Sequence, residues 1–169
     1  MIEIHPFGNF VPKNTRYLVL GSFTTKPAKG YEWFYANGRN QFWPILEKIY
    51  GVKLDTKEKQ QDLFVKLEMA LADIILSCER KKNSNLDKNL INIVFNTYGV
   101  ESIIKENNVE KIFFTSRFVE TLFKKQFKAV GETYSESSLI CLPSPSPRYA
   151  AMTKEEKIKK YKKVLPKLK

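Results

Sequence analysis

The residues best suited to chemistry lie in one stretch, positions 33–50, which reads WFYANGRNQFWPILEKIY. Asn40 and Asn37 carry amides, which donate and accept hydrogen bonds and can orient a water but cannot take its proton. Phe34 and Tyr35 offer flat faces on which a planar group can stack. The polar stretches of the chain hold hydroxyls, amides and cations but few acids. Residues 22–40, 77–85, 115–117 and 143–149 contain Ser22, Ser77, Ser116, Ser144 and Ser146 with Arg39, Arg80, Arg117 and Arg148, and their only carboxylates are Glu32 and Glu79. Such a set suits the gripping of phosphates, although the same serines are also ordinary turn formers. Glu79 reads as a salt-bridge partner for a loop cation rather than as an acid catalyst.

Composition narrows the chemistry further. A chain of 169 residues with 43% hydrophobic content fits one globular domain, residues 1–169, with a substantial core. Two cysteines and one histidine cannot build a four-cysteine iron–sulfur cluster or the usual zinc site, so no metal and no cofactor is expected. His5 is the only histidine, so any histidine-based triad would have to use it, and no Gly-x-Ser-x-Gly elbow accompanies it. Walker and GxGxxG loops are absent. No apolar run approaches a membrane span, and the first residues lack a basic segment followed by an apolar core, so neither membrane nor signal peptide is expected. Cys78 and Cys141 read as free thiols in a reducing cytoplasm. The net charge of +11, from 29 Lys and Arg against 18 Asp and Glu, favours a polyanionic partner, nucleic acid before membrane. A lysine-rich solvated surface would give the same number.

These groups need elements to position them. Apolar runs at 17–20, 70–76, 111–114 and 139–142 read as buried strands, and the spacing predicts helices over 40–50, 56–69, 100–107, 117–127 and 153–165. Residues 86–95 are ambiguous. Asn40 stands at a helix N-cap position, and Pro44 falls in the first turn, where a missing N–H does little harm. Thr56 is a second cap, and Thr153 with Glu156 forms a capping box. The eight lysines from Lys154 onward read as the wet face of the last helix. Strand–helix alternation predicts a parallel, doubly wound sheet, whose ligand site lies beyond the carboxyl ends of its strands. The four polar stretches leave those ends. Taken alone, residues 33–50 also fit a capped helix with an aromatic core face.

The order of these motifs resembles the uracil-DNA glycosylase superfamily, and within it the hypoxanthine-DNA glycosylase (DNA-deoxyinosine glycosylase) branch. Leu20-Gly21-Ser22-Phe23 is similar to its first motif, and residues 34–46 to its FYxxxRNxFWPIL-like segment. Ser77-Cys78-Glu79-Arg80, with Leu86-Asp87 after it, is similar to its SCER segment, and residues 142–149 to its last loop, LPSTSPAN. The resemblance covers about residues 4–165 and departs from the branch at Asn37-Gly38, Thr24 and Arg148-Tyr149. The superfamily's common first-motif acid is absent, as is the second-motif histidine of its classical uracil-specific members.

The resemblance implies a three-layer α/β/α sandwich with a central, mostly parallel four-stranded sheet, acting as a monomer on DNA that contains a deaminated base. It implies excision by flipping the nucleotide and hydrolysing its N-glycosidic bond. Asn40 would orient the water. Gly21, Ser22, Phe23, Phe34, Tyr35, Asn37 and Ser77 would hold the base. Arg39, Arg80, Ser116, Arg117, Ser144, Ser146, Arg148 and Tyr149 would meet the DNA, the last two filling the gap in the stack. With an amide in place of a general base, which contributes about 10²–10⁴-fold, a slow enzyme is expected. A lesion-binding protein without turnover, and a hydrolase of free nucleosides, are the competing expectations.

Overall fold

The computed structural model describes residues 1–24, 33–82 and 86–169. Residues 25–32, with Pro27, Gly30 and Glu32 of the first expected loop, and 83–85 of the second, lie outside the described residues.

In chain order the strands are β1 (Glu3–Ile4), β2 (Tyr17–Gly21), β3 (Met69–Asp73), β4 (Ile75–Arg80), β5 (Leu90–Phe95), β6 (Lys111–Phe114) and β7 (Leu139–Cys141). The helices are α1 (Phe42–Tyr50), α2 (Lys57–Lys66), α3 (Thr97–Asn107), α4 (Arg117–Gln126), the short α5 (Lys128–Gly131) and α6 (Lys154–Val164). Strands β3-β2-β6-β7 form a four-stranded, all-parallel sheet in that order. Its side chains alternate, as the two-residue period of a strand requires. Leu18, Leu20, Ala70, Ala72, Ile112 and Phe114 join one core with Val100, Ile103 and Ile104 of α3 and Val119 and Phe123 of α4. Val19, Leu71 and Phe113 join the other with Ile45 and Leu46 of α1, Phe64 of α2 and Tyr161 of α6. Helices on both faces of a parallel sheet give the three expected layers.

Local chemistry sets the helix ends. Thr56, Ser116 and Thr153 accept the N–H of Lys59, Val119 and Glu156 and so cap α2, α4 and α6. Gly51 closes α1 in the left-handed conformation, φ 65°. No described helix is long and apolar enough to cross a membrane.

One expected strand is two. The run 70–76 ends as β3 at Asp73; the chain bends at Ile74, and β4 leaves into a separate antiparallel sheet of order β1-β4-β5. The bend is held by Ile74 N–H on Gly21 O and Ile75 N–H on Ser22 O. Ile74 and Ile75 are both fully buried, so the apolar run continues through the bend and periodicity does not reveal it. Residues 77–80 are therefore strand, not loop, and the ambiguous segment 86–95 is a single 3₁₀ turn followed by β5.

Candidate functional site

The chain runs from central β2 to β3 on one side and later to β6 on the other. Its connections therefore diverge where β2 and β6 end, which is where a sheet of this topology holds its ligand crevice. Gly21 ends β2, in register with Asp73 of β3. A Cβ on Gly21 would collide with Asp73 Oδ1 and the Tyr35 hydroxyl, so only glycine lets both lie across the strand end. Tyr35 takes a left-handed backbone, φ 57°, which is strained for a non-glycine residue and marks a fixed conformation. Its ring packs on Phe42 with centroids 4.1 Å apart, and its hydroxyl donates to Thr115 Oγ1 at 3.3 Å. Burial, and after it the charge of Asp73, raises the phenol pKa well above its ordinary value, which keeps the hydroxyl a donor.

Phe34 takes a different place. It is 1% exposed, packs on His5 and Phe7, and its carbonyl accepts Trp43 Nε1–H at 2.8 Å. Its expected role as a stacking face is corrected to a core role, with Trp33, Phe42 and Trp43, and Tyr35 is the ring of the pair that reaches the crevice.

Asn40 is half-buried just before α1. Its Oδ1 accepts the Phe42 N–H at 2.9 Å and its own N–H donates to Asn37 O at 2.8 Å. It thus closes the turn one residue ahead of Gln41, which holds the cap position. Asn37 and Arg39 are exposed, and Asn37 Oδ1 accepts Arg39 N–H at 3.0 Å, which shapes the Asn-Gly turn.

The last loop meets this turn directly: Gln41 N–H donates to Pro145 O at 2.8 Å. Ser144 Oγ accepts Ser146 N–H and Ser146 Oγ accepts Arg148 N–H, both at 3.2 Å, so these serines shape the loop. Arg148 and Tyr149 are exposed at its tip. Beneath it, Lys157 is 1% exposed, which corrects the reading of all eight terminal lysines as solvated. At the β6 end Ser116 caps α4, and the Arg117 side chain is 86% exposed with one nitrogen 3.0 Å from Glu120.

Two expected site residues, Ser77 and Arg80, sit on a strand of the antiparallel sheet. Ser77 lies in β4, paired with Ile4 and Val94 in the antiparallel sheet. Arg80 is also on β4; its side chain is 9% exposed, paired with Glu3 at 2.7 Å and stacked over Phe23. The bend at Ile74 places Ser77 in the antiparallel sheet, while Arg80 comes back over Phe23 and near Asp87, the partner of Ser22.

At the end of β3 the fold supplies a polar group that the loop composition did not disclose. Asp73 is 3% exposed, and its Oδ2 lies 2.6 Å from both His5 Nε2 and Thr24 Oγ1. His5 packs edge-on against Phe23 and keeps its Nδ1 2.7 Å from Phe7 O. An aspartate inside the apolar run MALADIIL, residues 69–76, was the available signal, because a buried carboxylate requires donors. Asp87 is half-buried and accepts Ser22 Oγ–H at 3.0 Å. Burial, then the charge of Asp73, pushes its pKa up, against the pull of Ser22 and Arg80. Asp73 and Asp87 lie outside the four polar stretches, whose own carboxylates are Glu32 and Glu79. Among the described residues, no three His, Cys, Asp or Glu side chains cluster as a metal site.

No family model matches the chain, and no curated protein matches it. Among solved structures, it is similar to the solution NMR structure of a protein from Methanosarcina acetivorans described as a "putative Uracil DNA glycosylase". The TM-score is 0.72 at 22% identity, over 97% of this chain and 96% of that one. The two share an α/β fold built on a four-stranded parallel sheet with its helices.

Proposed function

We propose that this chain is a DNA glycosylase of the uracil-DNA glycosylase superfamily, closest to its hypoxanthine-DNA glycosylase branch. It flips a deaminated base, hypoxanthine or uracil, out of DNA and hydrolyses its N-glycosidic bond. The observation that carries the reading is the meeting of separate segments at one strand-end crevice. Tyr35 spans Gly21 and Thr115, and the turn after Asn40 is bonded to the last loop through Gln41 and Pro145. The fold shared with the Methanosarcina acetivorans protein and the net charge of +11 support the same reading.

In this mechanism Arg39, Arg117 and Arg148, all exposed, meet phosphates. Tyr35 offers a face to the extruded base, an interaction worth about 1–3 kcal/mol. Arg148 and Tyr149 fill the gap in the stack. The bond from Phe42 N–H fixes the Asn40 carboxamide, and the second lone pair of its oxygen aims a water at the sugar C1′. The water oxygen bonds to C1′ as the C1′–N bond breaks, and the electron pair leaves with the base, where hydrogen-bond donors stabilise it. The proton of the water needs an acceptor. Asp87, held by Ser22, is the candidate among the carboxylates that the fold brings to this end of the sheet.

The engagement of Asn40 Oδ1 by the backbone favours one other reading, a lesion-binding protein with little or no turnover. Duplexes carrying single inosine, uracil, xanthine or mispaired thymine, followed by alkali, separate the two. Strand cleavage at inosine or uracil is expected. Salt-sensitive binding with no product at high enzyme excess would leave only the binding reading.

A further inference from the structure

Lys157 is buried within a helix whose other lysines are all exposed. Its Nζ donates to Gln41 Oε1 at 2.8 Å and to Ser146 O at 3.1 Å, and lies 5.4 Å from the centre of the Tyr149 ring. One turn further along the same face of α6, Tyr161 donates its hydroxyl to Pro143 O at 2.7 Å. The helix therefore grips the last loop at two points, and only the Lys157 grip also reaches the start of α1. Both oxygens on Lys157 are neutral, so the ammonium loses water without gaining a carboxylate. A methionine of similar length would pack there at less cost. Burial correspondingly lowers the Lys157 pKa. A costly cation at the meeting point of two segments whose tips are exposed calls for a role beyond packing.

We infer that Lys157 is a positioning residue that locks loop 143–149 onto the first turn of α1, so that Arg148 and Tyr149 stand ready to fill the gap left by a flipped nucleotide. The functional half of this inference rests on the glycosylase reading; the lock itself does not. Gln41 is the second half of the lock, joined by its backbone to Pro145 and by its side chain to Lys157.

The test uses the full chain and two readouts. The first is tryptic cleavage after Arg148, taken as a ratio to cleavage after Lys81 in the same sample. In Lys157→Met and in Gln41→Leu the ratio should rise about tenfold, as expected for local opening. Gln41→Glu, which replaces the amide by a carboxylate partner, should keep it low. The second readout is single-turnover release of the base from duplex and from single-stranded DNA. A single strand has no stack to fill, so Lys157→Met should lose about tenfold on duplex and stay within about twofold on the single strand. A general loss of folding would lower both alike. An unchanged cleavage ratio in both loosening variants, or equal losses on both substrates, overturns the inference. A raised ratio in a protein that releases no base from either substrate supports the lock and removes the glycosylase reading instead.

Discussion

The two sides of the crevice are built on opposite electrostatic plans. On the β2–β3 side, Asp73 is buried against His5 and Thr24 and Asp87 is held by Ser22, so each carboxylate meets a donor inside the fold. On the side of α1 and the last loop, the buried charge is the cation of Lys157, it meets only neutral oxygens, and the tips beside it, Arg39, Arg148 and Tyr149, stand in solvent. A wall of satisfied hydrogen bonds resists displacement, because opening it strands buried polar groups. An edge of exposed cations and a ring resists little and attracts a polyanion. Buried hydrogen bonds keep the shape of one side, and the other presents its cations to solvent.

The sharpest way to break this comparison is to remove the wall. Asp73→Ala leaves His5 and Thr24 without their acceptor, and should cost about 3–5 kcal/mol in denaturant unfolding, the range for breaking a buried pair. A loss below about 0.5 kcal/mol, typical of surface positions, would mean that the network does not hold the strand ends.

Asn40→Ala should instead act on chemistry. Base release at saturating DNA should fall about 10²-fold or more, the usual cost of removing an aligned catalytic amide, while affinity for the lesion duplex stays near wild type. Full activity in this variant would refute the role assigned to Asn40.

On the exposed edge, Arg148→Ala should leave unfolding unchanged and reduce the salt dependence of DNA binding by about one unit of slope, as for one lost phosphate contact. An unchanged slope would remove Arg148 from the interface.

The smallest effect concerns pH. Burial and the Asp73 charge raise the folded pKa of Asp87, so folding holds its proton more tightly than the unfolded chain does. That contribution is present below the ordinary aspartate range and is lost as pH rises through the raised value. Asp87→Asn, which can still accept from Ser22, should therefore flatten the fall in stability that starts above about pH 4. Parallel wild-type and variant stability profiles would show that Asp87 is no more buried than a surface acid.

Much of the frame was legible. Strands β2, β6 and β7 stand out as apolar runs, and α2 and α6 carry the caps Thr56 and Thr153. The grip of Lys157 was half legible, since Lys157, Tyr161 and Leu165 share one helical face, but lysine at such a position usually points to water. The break between β3 and β4 was hidden inside a continuous apolar run, and with it the place of Ser77 in the antiparallel sheet. His5 and Asp73 are 68 residues apart, and nothing local pairs them.

By itself, then, the sequence determined the alternation of strands and helices, the cation excess and the amide-and-ring segment before α1, because period, charge and capping are properties of neighbouring residues. Only the tertiary structure decided that Phe34 turns inward while Tyr35 crosses the strand end, that Asp73 lies against Gly21 and Asp87 holds Ser22, and that Lys157 joins the last loop to α1. Those outcomes depend on which distant side chains share one buried volume and must satisfy one another's hydrogen bonds there.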